Sequence, residues 1–200
     1  YWEDVDPGAA PGLYRERMVD FVTAIRTRAE TRLAENGRAG EDFAIIGQNA
    51  EELALDPDYL AAIDGIGKED LYFYYPNGAE AAFDTVPKGW LTGSQALLEA
   101  AQAAGVETFV VEYVPDAFRD QVIAEVRAEI AWLGELGAPL YLSSDRALDR
   151  IETVIGTDGQ VQLWGGDTAD RLTGTPWRDQ ITGADGDDVL RGKGGRDVLR

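Results

Sequence analysis

Hydrophobic and polar positions in residues 1–152 form blocks of helical spacing that are separated by short apolar runs. The clearest helical pattern covers residues 14–35, where apolar residues recur every three or four positions and Gly37 marks the end. Further helical patterns cover residues 51–62, 94–104 and 116–136. This part of the chain is therefore predicted to alternate between helices and the elements that the apolar runs form.

The apolar runs predict four β-strands, at residues 43–46, 71–75, 108–112 and 140–144. Strands that alternate with helices are typical of an α/β fold with parallel strands. The pattern fits part of a (β/α) barrel or half of an open doubly wound sheet. We favour the barrel, because no glycine-rich phosphate-binding motif follows a strand.

Polar side chains occupy the predicted carboxyl ends of the strands, where functional groups gather in both architectures. They are Gln48 and Asn49, Glu69 and Asp70, Glu112 and Tyr113, and Ser144 and Asp145. Aromatic residues accompany them at Tyr72, Tyr74, Tyr75 and Trp90, with Trp2 near the start. Rings that stack on sugars, amides that bond hydroxyl groups and acids that perform chemistry would suit a carbohydrate. The alternative is that the aromatics belong to the core and the acids cap helices or face solvent.

A different pattern, with a period of nine residues, covers residues 165–200. Gly165, Gly174, Gly183 and Gly192 open the units, Asp170, Asp179, Asp188 and Asp197 take the sixth position, and Leu172, Ile181, Leu190 and Leu199 take the eighth. Glycine permits a tight turn, the aspartate supplies oxygen ligands and the aliphatic residue fills a thin core. A disordered Gly/Asp-rich linker, the alternative, would show this composition without the period.

The period predicts a parallel β-roll in which two units make one turn. Asp170 is then one turn from Asp188, and Asp179 one turn from Asp197, so that carboxylates and turn carbonyls can hold calcium between successive turns. The predicted metal-site residues are Asp170, Asp179, Asp188, Asp197, Gly165, Gly183, Asp185 and Gly192. Without metal we expect this segment to be disordered, because its carboxylates repel one another and its apolar surface is small.

These units resemble the RTX (haemolysin-type) calcium-binding repeats, with consensus G-G-x-G-x-D-x-U-x, of proteins that type I secretion machinery exports. The resemblance implies Ca²⁺ as the bound ion and a secreted, extracellular location. The second unit departs from the consensus, since Pro176 and Trp177 stand where glycine is expected. Its calcium site is the least secure of the series.

Composition narrows the possible chemistry. The net charge of -19, from 37 acidic and 18 basic residues, opposes binding to nucleic acid. Cysteine and histidine are both absent, which excludes thiolate and imidazole chemistry and leaves carboxylates, lysine, tyrosine and oxygen-ligated cations. No apolar run approaches the roughly 18 residues of a membrane span. The chain opens at Tyr1 and closes at Arg200 within a repeat, so we expect it to be a fragment.

Six segments of residues 1–151, taken in order, carry a resemblance to a known family. They are Tyr1-Trp-Glu-Asp4, Met18-Val-Asp-Phe-Val22, Gly47-Gln-Asn-Ala-Glu-Glu-Leu53, Ile63-Asp-Gly-Ile-Gly-Lys-Glu-Asp-Leu71, Phe109-Val-Val-Glu-Tyr113 and Ser144-Asp-Arg-Ala-Leu-Asp149. Together they resemble the endo-α-1,4-polygalactosaminidase-type glycoside hydrolases. These are TIM barrels that include the "cysteinyl-tRNA synthetase-like" extracellular proteins.

The resemblance implies that Glu69 is the general acid/base of a retaining-type pair of carboxylates. Its partner would lie just upstream of Tyr1, with Asp4 and Asp6 as weaker stand-ins. The implied substrate-binding residues are Gln48, Asn49, Asp70, Glu112, Tyr113, Tyr72 and Trp90. One departure is Gly47, where family members often have proline, and we expect it to soften the loop.

The expected architecture is α/β: the C-terminal part of a TIM (β/α)8 barrel, about strands five to eight, followed by a short calcium-bound β-roll. Residues 1–152 form the partial hydrolase domain, 153–164 a linker and 165–200 the truncated repeats. The expected function is a secreted, endo-acting α-1,4-galactosaminidase-like hydrolase of an extracellular polysaccharide. The alternatives are a non-catalytic carbohydrate-binding or adhesion protein, and a barrel that only carries the calcium-binding repeats.

Overall fold

The computed structural model describes residues 10, 12–75, 83–115, 118, 121–143, 146, 153–155, 161–166, 168–174 and 178–200. They form a mixed α/β protein in which most strand pairs are parallel. The chain divides into two compact units, Tyr1–Gly67 with Gly93–Glu107, and Lys68–Thr92 with Thr108–Arg200. Among the described residues, none of the helices combines the length and hydrophobicity that crossing a bilayer requires.

The first unit begins with helix α1 and the strand pair that follows it. Its elements are α1 (Leu13–Glu35), β1 (Ile46–Gln48), a 3-10 helix (Glu51–Leu55), α2 (Pro57–Ala62), the start of β2 (Gly65–Glu69) and most of α3 (Lys88–Ala103). Strands β1 and β2 are parallel, with Ile46 opposite Gly65. Arg26 of α1 pairs with Asp64 and donates to the carbonyl of Phe43 at 2.8 Å. These contacts hold α1 against the segments that lead into β1 and β2.

The second unit contains a β-α-β segment with a small antiparallel pair beside it. Its elements are β3 (Phe73–Tyr74), β4 (Asp84–Thr85), most of β5 (Glu107–Tyr113), α4 (Ile123–Leu136) and β6 (Leu140–Ser143). β5 and β6 are parallel, and β3 and β4 are antiparallel. Phe73, Val114, Val126 and Leu142 form a buried cluster between these elements. The apolar face of α4 is thereby buried on the strands that flank it in sequence.

The sheet of the second unit continues into the carboxy-terminal repeats. β7 (Thr153–Ile155) is antiparallel to β6 and to β8 (Val161–Trp164), which β10 (Asp179–Thr182) and β12 (Val198–Leu199) extend in parallel. β9 (Arg171–Thr173) and β11 (Val189–Arg191) form a second parallel pair. Residues 153–164, predicted as a linker, therefore contain two strands, and Ile155 and Val161 are buried.

Several predicted boundaries are wrong. The first strand lies at Ile46–Gln48 rather than 43–46, and the second at Gly65–Glu69, whereas 71–75 holds only the short β3. Two glycines of β2 obscure the apolar pattern, although Ile66 between them is fully buried. A Cβ on Gly67 would lie 3.2 Å from the Gln48 amide oxygen, so a side chain of β1 fills that space. The TIM barrel stays a prediction.

Candidate functional site

Glu69 ends β2, and its carboxylate accepts a hydrogen bond from the hydroxyl of Tyr113, the last residue of β5. Both residues belong to the second unit. Burial and, next, the contact with Glu69 raise the pKa of Tyr113 well above its ordinary value. Because Tyr113 stays protonated, it holds the Glu69 carboxylate by a charge-assisted hydrogen bond. The structure therefore brings together two predicted site residues from different strands.

Asp70 follows Glu69 in the left-handed region, with a φ of 54°. Its carboxylate pairs with Arg146, and its N–H donates to the Val111 carbonyl at 3.2 Å. Burial raises the pKa of Asp70, and the hydrogen bond from Arg146 opposes that rise. The second carboxylate oxygen, Oδ1, is buried and has no hydrogen-bond partner in the described part of the chain. Burying an acceptor without a donor disfavours the charged carboxylate, in line with the raised pKa of Asp70.

Arg146 also lies over two aromatic rings. Its guanidinium carbon is 5.0 Å from the ring centroid of Tyr75 and 4.8 Å from that of Tyr113. The Tyr75 hydroxyl donates to the Tyr113 carbonyl at 3.0 Å. Cation–π contacts and the ion pair with Asp70 together fix the guanidinium. Sequence reasoning did not single out Arg146, although it lies inside the quoted segment Ser144-Asp-Arg-Ala-Leu-Asp149.

Gln48 and Asn49 lie at the end of β1 and belong to the first unit. Asn49 has a φ of 49°, rare for a residue with a side chain, and its N–H donates to the Gly67 carbonyl at 2.8 Å. A Cβ on Gly47 would collide with the Tyr59 hydroxyl. Tyr59, which is buried, therefore occupies the space that a side chain at position 47 would need.

Glu112 does not have the substrate-binding position predicted for it. Its side chain is fully buried, and its Oε1 accepts from the backbone N–H of Tyr72 at 2.6 Å. The carboxyl group of Glu129 in α4 lies next to it and acts on its pKa. Burial raises the pKa of Glu112 to about 7. Since the carboxyl has no exposed surface, it supports the turn after Asp70 and does not face a ligand.

The predicted aromatic residues have different environments. Tyr72 is half-buried and packs against the cluster that contains Phe73, whereas Trp90 in the first turn of α3 is 71% exposed. Trp90 takes no part in the contacts described above that join Glu69, Asp70, Tyr113 and Arg146. Trp2, Asp4, Asp6, Ser144, Asp145, Pro176 and Trp177 lie outside the described residues.

The repeats adopt the predicted register of two units per turn. Arg171 of β9 lies opposite Val189 of β11, and the N–H of Asp170 donates to Asp188 Oδ1 at 2.9 Å. In the other pair of turns the N–H of Asp179 donates to Asp197 Oδ1 at 3.1 Å. Each sixth-position aspartate thus touches its equivalent one turn away. Of the eighth-position residues, Ile181 is fully buried, whereas Leu199 is 47% exposed.

The unit-opening glycines leave room for an oxygen cradle. A Cβ on Gly165 would collide with the Gly183 carbonyl oxygen and lie 2.7 Å from Asp170 Oδ2. A Cβ on Gly174 would similarly lie 2.8 Å from the Gly192 carbonyl oxygen and against Asp179 Oδ2. Carboxylate and carbonyl oxygens from adjacent turns therefore converge where no side chain is tolerated. Hard oxygen ligands of this kind fit Ca²⁺.

Acidic side chains alone do not complete this cradle. Asp185 is exposed in its turn, and no three acidic side chains in the described residues are grouped closely enough to hold a metal. Backbone carbonyls must therefore supply part of the coordination, as the convergence at Gly165 and Gly174 indicates. When bound, Ca²⁺ neutralises the facing aspartates and joins successive turns.

Comparisons with known proteins bear on both parts of the chain. It is 33% identical over 148 residues to an uncharacterised protein of Deinococcus radiodurans, a match that covers 74% of this chain and 40% of the relative. The chain thus spans less than half the length of that relative. No solved structure is significantly similar.

The family of RTX calcium-binding nonapeptide repeats matches residues 147–176 and 164–199. The first match begins before the predicted repeat and includes the β7–β8 segment. Proteins with these repeats are typically secreted. The carboxy-terminal part of this chain consists of RTX nonapeptide repeats, and these repeats bind calcium.

Proposed function

We propose that this chain is part of a secreted glycoside hydrolase that cuts within an α-1,4-linked aminosugar polysaccharide. The observation that carries the proposal is the pair of adjacent carboxylates, Glu69 and Asp70, at the end of β2, with Tyr113 and Arg146 bound to them. Glycoside hydrolysis requires carboxyl groups that exchange protons with the leaving oxygen and with water. The resemblance of the surrounding segments to polygalactosaminidase-type enzymes supports the same chemistry.

Glu69 is the proposed general acid/base. The Tyr113 hydroxyl orients its carboxylate, and a positioned hydrogen bond of this kind keeps the reactive oxygen in one place. The side chain of Asp70 keeps 26% of its surface exposed beside Glu69, so it is suited to bind a sugar hydroxyl group. Arg146 limits the electrostatic repulsion between the two neighbouring carboxylates.

The proposed role of the repeats is calcium-dependent folding after export. Low calcium inside the cell would leave the facing aspartates unneutralised and the repeats unfolded, a state compatible with secretion machinery. Higher calcium outside would then drive folding through the free energy of binding. The polysaccharide, the hydrolysis and the export route all belong to this proposal.

The test is release of reducing sugar from α-1,4-linked galactosamine polymer by the full-length protein in excess calcium. Glu69→Gln is expected to lose activity by about 100-fold or more, since acid–base catalysis contributes 10²–10⁴-fold. Glu107→Gln alters an exposed glutamate of β5 and is the matched control. Retained activity in Glu69→Gln would refute the assigned role.

A non-catalytic carbohydrate-binding protein is the second candidate. The observation that favours it is that the carboxylates of Glu69 and Asp70 are already bound within the protein, Glu69 by Tyr113 and Asp70 by Arg146. Carboxylates held in this way are less free to exchange protons with a substrate. Calorimetric binding of the same polymer discriminates between the candidates. Binding without reducing-sugar release by the wild-type protein would support the binding protein and refute the hydrolase.

A further inference from the structure

Two glutamates lie fully buried next to the candidate site in the second unit. Glu112 comes from β5 and Glu129 from α4, and each has an exposed fraction of 0%. Their carboxyl groups lie within reach of each other, so a proton on one of them can form a hydrogen bond to the other. Burying two acids is costly unless a proton or hydrogen bonds compensate, whereas apolar residues of similar size could fill the same space. The pair therefore requires an explanation other than core packing.

The hydrogen bonds indicate that the pair holds at least one proton. Tyr72 N–H supplies a donor to Glu112 Oε1, but Glu112 Oε2 and both Glu129 oxygens have no donor among the described residues unless a carboxyl is protonated. If Glu129 carries the proton, its carboxyl group donates a hydrogen bond to the Glu112 carboxylate, which otherwise has one oxygen without a donor. Burial, followed by the charge and hydrogen bond of Glu112, raises the pKa of Glu129 well above its ordinary value.

The groups that act on Glu112 come from two directions. Glu129 faces it from α4, and Asp70 faces it from the turn after β2, where the backbone N–H groups of Leu71 and Tyr72 also lie. Glu112 precedes Tyr113, whose hydroxyl binds Glu69. Two consecutive residues of β5 therefore contact the site: Glu112 accepts from the Tyr72 N–H, and Tyr113 donates to Glu69.

We propose that Glu129 is a positioning residue for the carboxylates Glu69 and Asp70. As the protonated member of the pair it fixes the Glu112 carboxyl, and Glu112 in turn fixes the backbone of Tyr72, two residues after Asp70. The inference rests on the proposed hydrolase function for its catalytic consequence. The geometric part concerns only the turn and can be measured without a substrate.

The variants are Glu129→Gln, which keeps a donor for Glu112, and Glu129→Leu, which removes it at similar volume. Hydrogen exchange at the Tyr72 amide is the first readout. We expect protection to fall by about tenfold or more in Glu129→Leu, because the Glu112 carboxyl that accepts from the Tyr72 N–H is no longer fixed, and to be rescued in Glu129→Gln. Equal protection in the three proteins would overturn the proposal.

Kinetics on the polymer are the second readout. Misplacing the carboxylates is expected to lower kcat by about tenfold or more in Glu129→Leu, with KM changed little, and Glu129→Gln should restore kcat. An unchanged kcat in Glu129→Leu would overturn the positioning role. A wild-type protein without hydrolytic activity would instead refute the proposed function, and the Tyr72 exchange would still decide the role of Glu129.

A measurement on the folded wild-type protein covers the case in which Glu129→Leu does not fold. Infrared spectra above pH 7, where Glu112 and the exposed acids are ionised, should contain a protonated carboxyl band from Glu129. Glu129→Gln should lack that band. Its absence from the wild type would overturn the proposal.

Discussion

Ionisation of the Glu112–Glu129 pair is expected to make the protein less stable as the pH rises from 4.5 to 7. Glu112 has an ordinary pKa of 4.5, and burial raises it to about 7 in the folded protein. Across this range the unfolded chain has lost the proton that the folded protein keeps, so the free energy of unfolding falls with pH. At 1.36 kcal/mol per pKa unit, the rise of the pKa from 4.5 to about 7 lowers the free energy of unfolding by about 3 kcal/mol across this pH range. That is a large part of the roughly 5–15 kcal/mol of a typical domain.

The assay is urea unfolding of the full-length protein in excess calcium at several pH values between 4.5 and 7. The chain has a net charge of -19, so general charge repulsion also lowers stability as acids ionise. Subtracting the profile of the Glu112→Gln/Glu129→Gln double variant isolates the contribution of the pair. Glu107→Gln, an exposed glutamate of β5, should keep the wild-type slope. Parallel profiles for the wild type and the double variant would refute the reasoning.

Three further predictions concern the repeats and the site. Gly174→Ala should weaken calcium binding measured by calorimetry, because its Cβ would meet Asp179 Oδ2 and the Gly192 carbonyl, whereas Gly93→Ala in α3 has open space and should leave the affinity unchanged. Chelation of calcium should lower hydrogen-exchange protection in β6 as well as in the repeats, since β7 and β8 join them in one sheet; unaltered β6 exchange would contradict this coupling. Arg146→Met should raise the pKa of Asp70 further, visible by carboxyl NMR, because the ion pair opposes the effect of burial; an unchanged titration would show that Arg146 does not act on Asp70.

The nine-residue repeat could be identified from sequence because its requirements are local. Glycine at the first position, aspartate at the sixth and an aliphatic residue at the eighth each meet a need that recurs in every unit. The register between Asp170 and Asp188 followed from the period, and β9 and β11 confirm it. Calcium binding follows from the same pattern and from the family match. The alternation of helices and strands was also readable, because periodicity reports which face of an element is buried.

Tertiary structure decided the features that depend on residues far apart in the chain. Strand β2 was missed because two glycines give it no alternating pattern, and only pairing with β1 reveals it. Glu129 lies near Val126, Ile130 and Leu133, so the sequence alone shows an acidic residue on the apolar side of α4. Its contact with Glu112, however, is known only from the packing of α4 on β5. The ion pair of Arg146 with Asp70 likewise joins residues that lie 76 positions apart in the sequence. Sequence periodicity determines which face of an element is buried, whereas the pairing of buried charges depends on how the elements pack, which no local pattern encodes.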